Sequence, residues 1–138
     1  MTGDGSVGRS PDYRDVRRLR DIDEALRVVE QHLRRGPLDD LLVYDAVRVR
    51  LMEVGEAVKG LSTDVTGSRP DIPWRDIART RDHLVHRYFA TSVEIIAGMV
   101  SEGVPPLRTA VTALLAERHD PPTAAGDDPQ RGPSAGGV

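Results

Sequence analysis

The chain has 138 residues, a net charge of -3, and 38% apolar against 30% charged residues, the balance of a single soluble domain. One Phe, one Trp and three Tyr leave its core to aliphatic side chains, and with no cysteine it has no disulfide framework and no thiolate metal site. No apolar run reaches the length of a membrane span or a signal-peptide core, so a cytoplasmic location is expected, and the acidic balance argues against strong non-specific binding to nucleic acid.

Residues 1–9 and 121–138 are rich in Gly, Pro, Ser and Asp and are expected to be disordered tails around one helical domain at 10–120. Ser10-Pro11-Asp12 is a start signal, with a capping hydroxyl, a proline suited to the first turn and an acid near the positive end of the helix dipole. Val16, Leu19, Ile22, Leu26, Val29 and Leu33 then recur every three or four residues, and Gly36-Pro37 ends this first helix. A second runs from Asp39 or Asp40 to Lys59, with Leu42, Tyr44, Val47, Leu51, Val54 and Val58 inward and Gly60 as its stop. Gly55 inside it costs about 1 kcal/mol relative to Ala, which marks a close helix crossing.

Ser62 to Pro70 reads as a polar loop. A third helix begins near Asp71-Ile72-Pro73-Trp74, buries Trp74, Ile77, Leu84 and Val85, and continues to Tyr88 or Phe89. Thr91-Ser92-Val93-Glu94 fits a capping box with Thr91 as the cap, opening a short fourth helix through Ile95, Ile96, Met99 and Val100 that Gly103 closes. Pro105-Pro106 opens a fifth, with Leu107, Val111, Leu114 and Leu115 inward, and Asp120-Pro121 stops it. The expected fold class is all-α, an up-and-down bundle of four to five helices.

Nucleophile motifs and Gly-rich phosphate loops are absent. The chemistry concentrates between Arg79 and Tyr88, where Arg79, Arg81, Asp82, His83, His86, Arg87 and Tyr88 share one helical stretch. Arg81 and Tyr88, seven apart, lie close to one face, and Asp82 and His86, four apart, can touch, so that Asp82 could orient His86. Arg81 lies five residues before His86, roughly 140° around the helix and about 7 to 8 Å along it, so a neighbouring helix or a second subunit is needed to complete a pocket.

Cleavage of RNA by internal transfer needs a base for the ribose 2'-hydroxyl, an acid for the 5'-leaving oxygen and positive charge on the phosphorane. Histidine and arginine supply these parts. The basic residues are arginines except Lys59, and a guanidinium fork suits phosphate, though genomic base composition produces the same bias. The residues alone leave open a plainer reading, a solvated face with ion pairs worth about 0.3–0.5 kcal/mol each. His83 and His86 are three apart but have no third ligand nearby, so no metal site and no cofactor are expected. His32 and His119 sit near helix ends, where histidines more often stabilise a C-terminus than react, and Glu53 and Glu56 could form a carboxylate pair, although solvated or structural roles are the more usual ones.

Tyr44-Asp45-Ala46-Val47, Met52-Glu53-Val54-Gly55-Glu56-Ala57, Ile72-Pro73-Trp74-Arg75-Asp76-Ile77-Ala78, Arg81-Asp82-His83-Leu84-Val85-His86-Arg87-Tyr88-Phe89 and Pro105-Pro106-Leu107 follow one another in a telling order. In that order and spacing they resemble the HepT-like branch (DUF86) of the HEPN ribonucleases, over residues 12 to 118. The resemblance implies a homodimeric helical bundle, and a metal-independent endoribonuclease acting as the toxin of a type VII-like toxin-antitoxin system. It places Arg81 on the phosphate, makes His86 the general acid or base, and puts Asp82 at the polar position of the motif. Arg79, His83 and Arg87 become candidate RNA contacts. It further implies a nucleotidyltransferase antitoxin of the MNT type that adenylylates Tyr88. Ser92 and Arg87 depart from the family, which often has Asp at the first position and a small residue at the second. The alternative is a non-catalytic helical module that binds a nucleotide or a protein.

Overall fold

The computed structural model describes the backbone of residues 11–86 and 92–126 and the side chains of 13–86 and 92–118. Within them the secondary structure is helical: α1 (Pro11–Arg35), α2 (Leu41–Lys59), α3 (Thr63–Ser68), α4 (Trp74–His86), α5 (Val93–Gly98), a π-helical turn (Met99–Gly103) and α6 (Val104–Gly126). Helix α2 packs between α1 and α4, and α6 lies against α1.

The periodic residues of α1 and α2 explain this layering. Leu19, Ile22, Leu26 and Val29 are fully buried along one side of α1, and Val47, Leu51, Val54 and Val58 meet them from α2. Helix α2 starts where Asp40 accepts hydrogen bonds from the backbone N–H groups of Leu42 and Val43, and it ends at Gly60. Arg108 of α6 pairs with Glu30 and with Asp23 of α1, reinforcing the second packing face. Among the described residues, no helix is long and apolar enough to cross a membrane.

The all-α bundle is as expected, but several local expectations change. The segment read as a loop from Ser62 to Pro70 contains α3. Ser62 caps it by accepting from the Val65 N–H, and Val65 is completely buried. Six residues are too few for apolar periodicity to register, so the cap was its legible signal. Leu42 is 81% exposed rather than inward, because it lies nine residues from the buried Leu51, half a turn around the helix, and Val43 takes the core position. Val85 and Ile95 are also exposed, the former lying about 100° around α4 from the buried Leu84.

Ser92, and not Thr91, supplies the described cap of α5, its hydroxyl accepting from the Ile95 N–H at 3.3 Å. Thr91 lies outside the described residues, as do Ser10 and the expected end of the third helix at Tyr88 or Phe89. Gly103 does not close a helix, since the π turn carries the chain from α5 into α6. Pro105 and Pro106 have no N–H to give the previous turn, and the wider π turn relieves the crowding of their rings against carbonyls four residues back. Nor does Asp120-Pro121 stop α6, which runs to Gly126. A proline removes one donor and bends a helix without having to end it.

Sequence reasoning also missed Asp15. It is a charged side chain only 3% exposed, and its carboxylate accepts from the Ser62 N–H at 2.9 Å and from the Ser62 hydroxyl at 2.7 Å. This clamp ties α1 to the start of α3. Hydrogen bonds to a charged group contribute about 1.5–3 kcal/mol each, and their loss leaves a part-buried amide without its acceptor. Asp15→Ala is therefore expected to destabilise the fold by about 2–4 kcal/mol, measurable by urea unfolding. A change under about 0.5 kcal/mol would show that the clamp contributes nothing.

Candidate active site

Helix α4 carries the residues singled out in the sequence. Its buried positions, Trp74 and Leu84, set its rotation on α2, and the Trp74 indole N–H donates to the Arg69 carbonyl at 2.9 Å, anchoring its first turn. Further along, the Arg48 guanidinium donates to the Leu84 carbonyl at 3.4 Å, tying α4 to α2 a second time. His86 is the last described residue of α4 and is exposed, while His83 is half-buried.

The crossing of α4 over α2 occurs at Gly55. A Cβ there would stand 2.9 Å from both the Cβ and the backbone nitrogen of Arg81 and 3.1 Å from the Ile77 carbonyl oxygen. Glycine thus lets the Arg81 backbone lie directly on α2, and the side chain leaves the crossing toward the outer surface. There its Nε approaches Glu56 Oε1 at 3.5 Å and its Nη1 donates to Asp82 Oδ1 at 3.0 Å. The Arg81 side chain remains 38% exposed, so two carboxylates orient its guanidinium without enclosing it.

Asp82 was expected to reach His86. Instead its carboxylate takes the hydrogen bond from Arg81, which the Glu56 contact draws to the same side of α4. That hydrogen bond, the largest influence, holds the Asp82 carboxyl below its ordinary value of 3.8, against an opposing effect of desolvation. The positive charges of Lys59, Arg81 and His86 add to the lowering. Any stability this confers is fully present above the ordinary carboxylate range and is lost as pH falls through the lowered value, so Asp82 stays anionic at neutral pH. Asp82 is thus tied to Arg81 by a hydrogen bond.

Glu56 and Gly55 are the neighbours that the sequence analysis had not linked to Arg81. Both stand in the Met52 to Ala57 stretch, where a glycine in mid-helix followed by an acid was the available signal. Glu53, by contrast, pairs with Arg50 on its own helix. Arg79 pairs with Asp76 at 2.6 Å on the exposed side of α4, away from the Arg81 pairing. His32 lies in the last turn of α1, apart from this site, and the side chain of His119 falls outside the description. Arg87 and Tyr88 also lie outside the described residues. Among the described residues, no group of three or more His, Cys, Asp or Glu is placed to hold a metal ion.

Residues 18–114 match the family model described as Ribonuclease HepT-like. The "Probable ribonuclease HepT" of Thermococcus cleftensis is 36% identical over 94 residues, which cover 65% of this chain and 86% of that protein. MJ0127 of Methanocaldococcus jannaschii, named as a proposed RNase, is 43% identical over 68 residues, 49% of this chain and 56% of that protein. TTE0752 of Caldanaerobacter subterraneus subsp. tengcongensis, named in the same way, is 37% identical over 68 residues, 49% of this chain and 61% of that protein. No solved structure matches the chain. The family match spans α1 from Arg18 into the first half of α6, including the whole of the α2–α4 crossing, and the chain belongs to the HepT-like ribonuclease family.

Proposed function

We propose that the chain is an endoribonuclease that cleaves RNA without a metal ion, through Arg81 and His86. The observation that carries this reading is the placement of Arg81. Its backbone is pressed onto Gly55, its guanidinium is oriented by Glu56 and Asp82 without being enclosed, and an exposed histidine stands one and a half turns further along the same helix. In the proposed reaction, a base removes the proton of the ribose 2'-hydroxyl, whose oxygen attacks the adjacent phosphorus. The bond from phosphorus to the 5'-oxygen breaks, and an acid gives that oxygen a proton. The products are a 2',3'-cyclic phosphate and a 5'-hydroxyl end. His86 serves in proton transfer, Arg81 stabilises the charge on the phosphorane, and Asp82 keeps the guanidinium in position.

One copy of α4 displays Arg81 and His86 about 140° apart, so the site is proposed to form between two copies of the chain. Exposed apolar side chains on α2 and α4 support this. Leu42 and Val49, seven apart on one stripe of α2, are 81% and 40% exposed, and Leu41 next to them is 67% exposed. Val85, 38% exposed, follows Leu84, whose carbonyl is bonded by Arg48, the neighbour of Val49. Exposed apolar side chains gathered this way suit burial against a second molecule.

The finer reading follows the family. The chain acts as the toxin of a toxin-antitoxin pair, and an MNT-type nucleotidyltransferase neutralises it by adenylylating Tyr88, two residues beyond His86. Tyr88 lies seven residues after Arg81 in the sequence, the spacing of two helical turns, so a nucleotide on the phenol would bring bulk and negative charge to the phosphate site. Co-expression with such a nucleotidyltransferase is expected to raise the intact mass by whole AMP units, mapping by peptide fragmentation to Tyr88, and to silence cleavage. Modification at another residue, or modification at Tyr88 with full cleavage, would contradict this regulation.

A further inference from the structure

The first turns of α1 carry a charge imbalance that the proposed chemistry does not use. Arg14, Arg17 and Arg18 line a shallow depression of about 350 Å³ together with Tyr13 and Asp21. Some arginines elsewhere on the surface are matched to carboxylates, as in Arg27 with Glu24, Arg50 with Glu53, Arg79 with Asp76 and Arg108 with Glu30, whereas Arg20, Arg34, Arg35 and Arg75 are exposed without an ion pair among the described residues, but singly or in a pair at most, not three around one depression. Among the described residues, Arg14, Arg17 and Arg18 stand in no ion pair, although Asp21 follows Arg17 and Arg18 at helical spacing. Three positive charges against one negative make a local cationic surface on a chain whose net charge is -3.

This surface is joined to Arg81. The Arg18 guanidinium lies against Gly60, where an added Cβ would stand 2.6 Å from Arg18 Nε. Lys59, immediately before Gly60, is the exposed last residue of α2, and its charge is felt by Asp82, the hydrogen-bond partner of Arg81. Arg81, Lys59, Arg18 and then Arg17 and Arg14 therefore follow one another from α4, across the end of α2, to α1, with the Glu56 and Asp82 carboxylates at Arg81 and acidic groups on one flank of Arg18, so the positive excess is largest at Arg14 and Arg17. Tyr13, 54% exposed at the far end, offers an aromatic ring of the kind on which a base stacks.

We infer that the depression on α1 is a binding track for the single-stranded RNA cut at the Arg81 site, with Arg14 and Arg17 on backbone phosphates, Lys59 and Arg18 bridging to the site, and Tyr13 stacking a base. The inference rests on RNA being the substrate of that site. A track that grips backbone and stacks any base gives affinity without demanding a sequence, which suits strand positioning more than base recognition. The imbalance is local, so a chain of negative net charge gains RNA affinity where it is useful.

The test separates binding from cleavage. Fluorescence anisotropy is read with a labelled single-stranded RNA of about 12 nucleotides, using full-length wild type, Arg14→Gln/Arg17→Gln and Tyr13→Ala. Arg14, Arg17 and Tyr13 are exposed, and thermal melts matching wild type exclude unfolding as a cause. Losing two phosphate contacts is expected to weaken binding about tenfold and to lower the logarithmic salt slope by about 1.4, since each single-strand contact adds about 0.7. Tyr13→Ala is expected to weaken binding several-fold with the slope unchanged. Wild-type affinity and slope in the double variant would overturn the track. Absence of cleavage by wild type would instead overturn the proposed chemistry while the anisotropy still decides whether α1 binds RNA.

Discussion

His86→Ala is expected to lower RNA cleavage by about 10²- to 10⁴-fold, the range for removing a proton-transfer group. Arg81→Ala is expected to cost about 10²- to 10³-fold, as when one donor to a developing anion is lost. Both should leave the fold intact. His86 is exposed, and the Arg81 pairs with Glu56 and Asp82 are about half-exposed and screened by solvent, so they contribute little to stability. Cleavage is followed on purified variants alongside thermal unfolding. A loss of cleavage accompanied by an equal loss of folded protein would assign these residues to structure. Full activity in His86→Ala would remove histidine from the chemistry.

Gly55→Ala carries the second large effect, because it strikes stability and the site together. In an isolated helix alanine improves on glycine by about 1 kcal/mol. Here the new methyl would meet the Arg81 backbone nitrogen and Cβ at 2.9 Å and the Ile77 carbonyl at 3.1 Å. These are largely backbone atoms of a packed helix, which cannot swing aside as a long side chain would, and overpacking of this kind costs about 1–3 kcal/mol. The backbone clash offsets or outweighs the propensity gain, giving a net loss of up to about 2 kcal/mol and a Tm lower by up to roughly 15 °C. Relief of the clash moves α4 away from α2 and Arg81 with it. A displacement near 1 Å costs about 10²-fold in rate when reacting groups must be aligned. A Gly55→Ala protein that melts higher than wild type and cleaves normally would show that the crossing does not set the position of Arg81.

These two expectations also measure how far the sequence could be read. Periodicity at Leu19, Ile22, Leu26 and Val29 was enough to place α1, because a long amphipathic helix repeats its signal many times. Gly55 announced a crossing through its cost in mid-helix, but what crosses there was not legible. Arg81 lies 26 positions later, and no local rule couples the two. The pairing of Glu56 with Arg81 was hidden for the same reason, and it redirected Asp82 from the expected His86 to Arg81. Helix α3 escaped notice because a six-residue helix with one buried apolar side chain, Val65, has no period to detect. Leu42 and Val85 were assigned inward by hydrophobicity alone, although helical rotation from Leu51 and Leu84 turns them outward. The π turn at Met99–Gly103 is a response to two consecutive prolines whose outcome, a continuous helix or a break, depends on packing on both sides.

The central claim is that Arg81 and His86 carry out metal-free transfer to the ribose 2'-hydroxyl. It is tested most directly by incubating purified wild type and His86→Ala with end-labelled single-stranded RNA in excess chelator and identifying the new ends by mass spectrometry. The account predicts 2',3'-cyclic phosphate and 5'-hydroxyl ends from wild type and none above background from His86→Ala. RNA that is bound but never cut, or cut equally by both proteins, would contradict it.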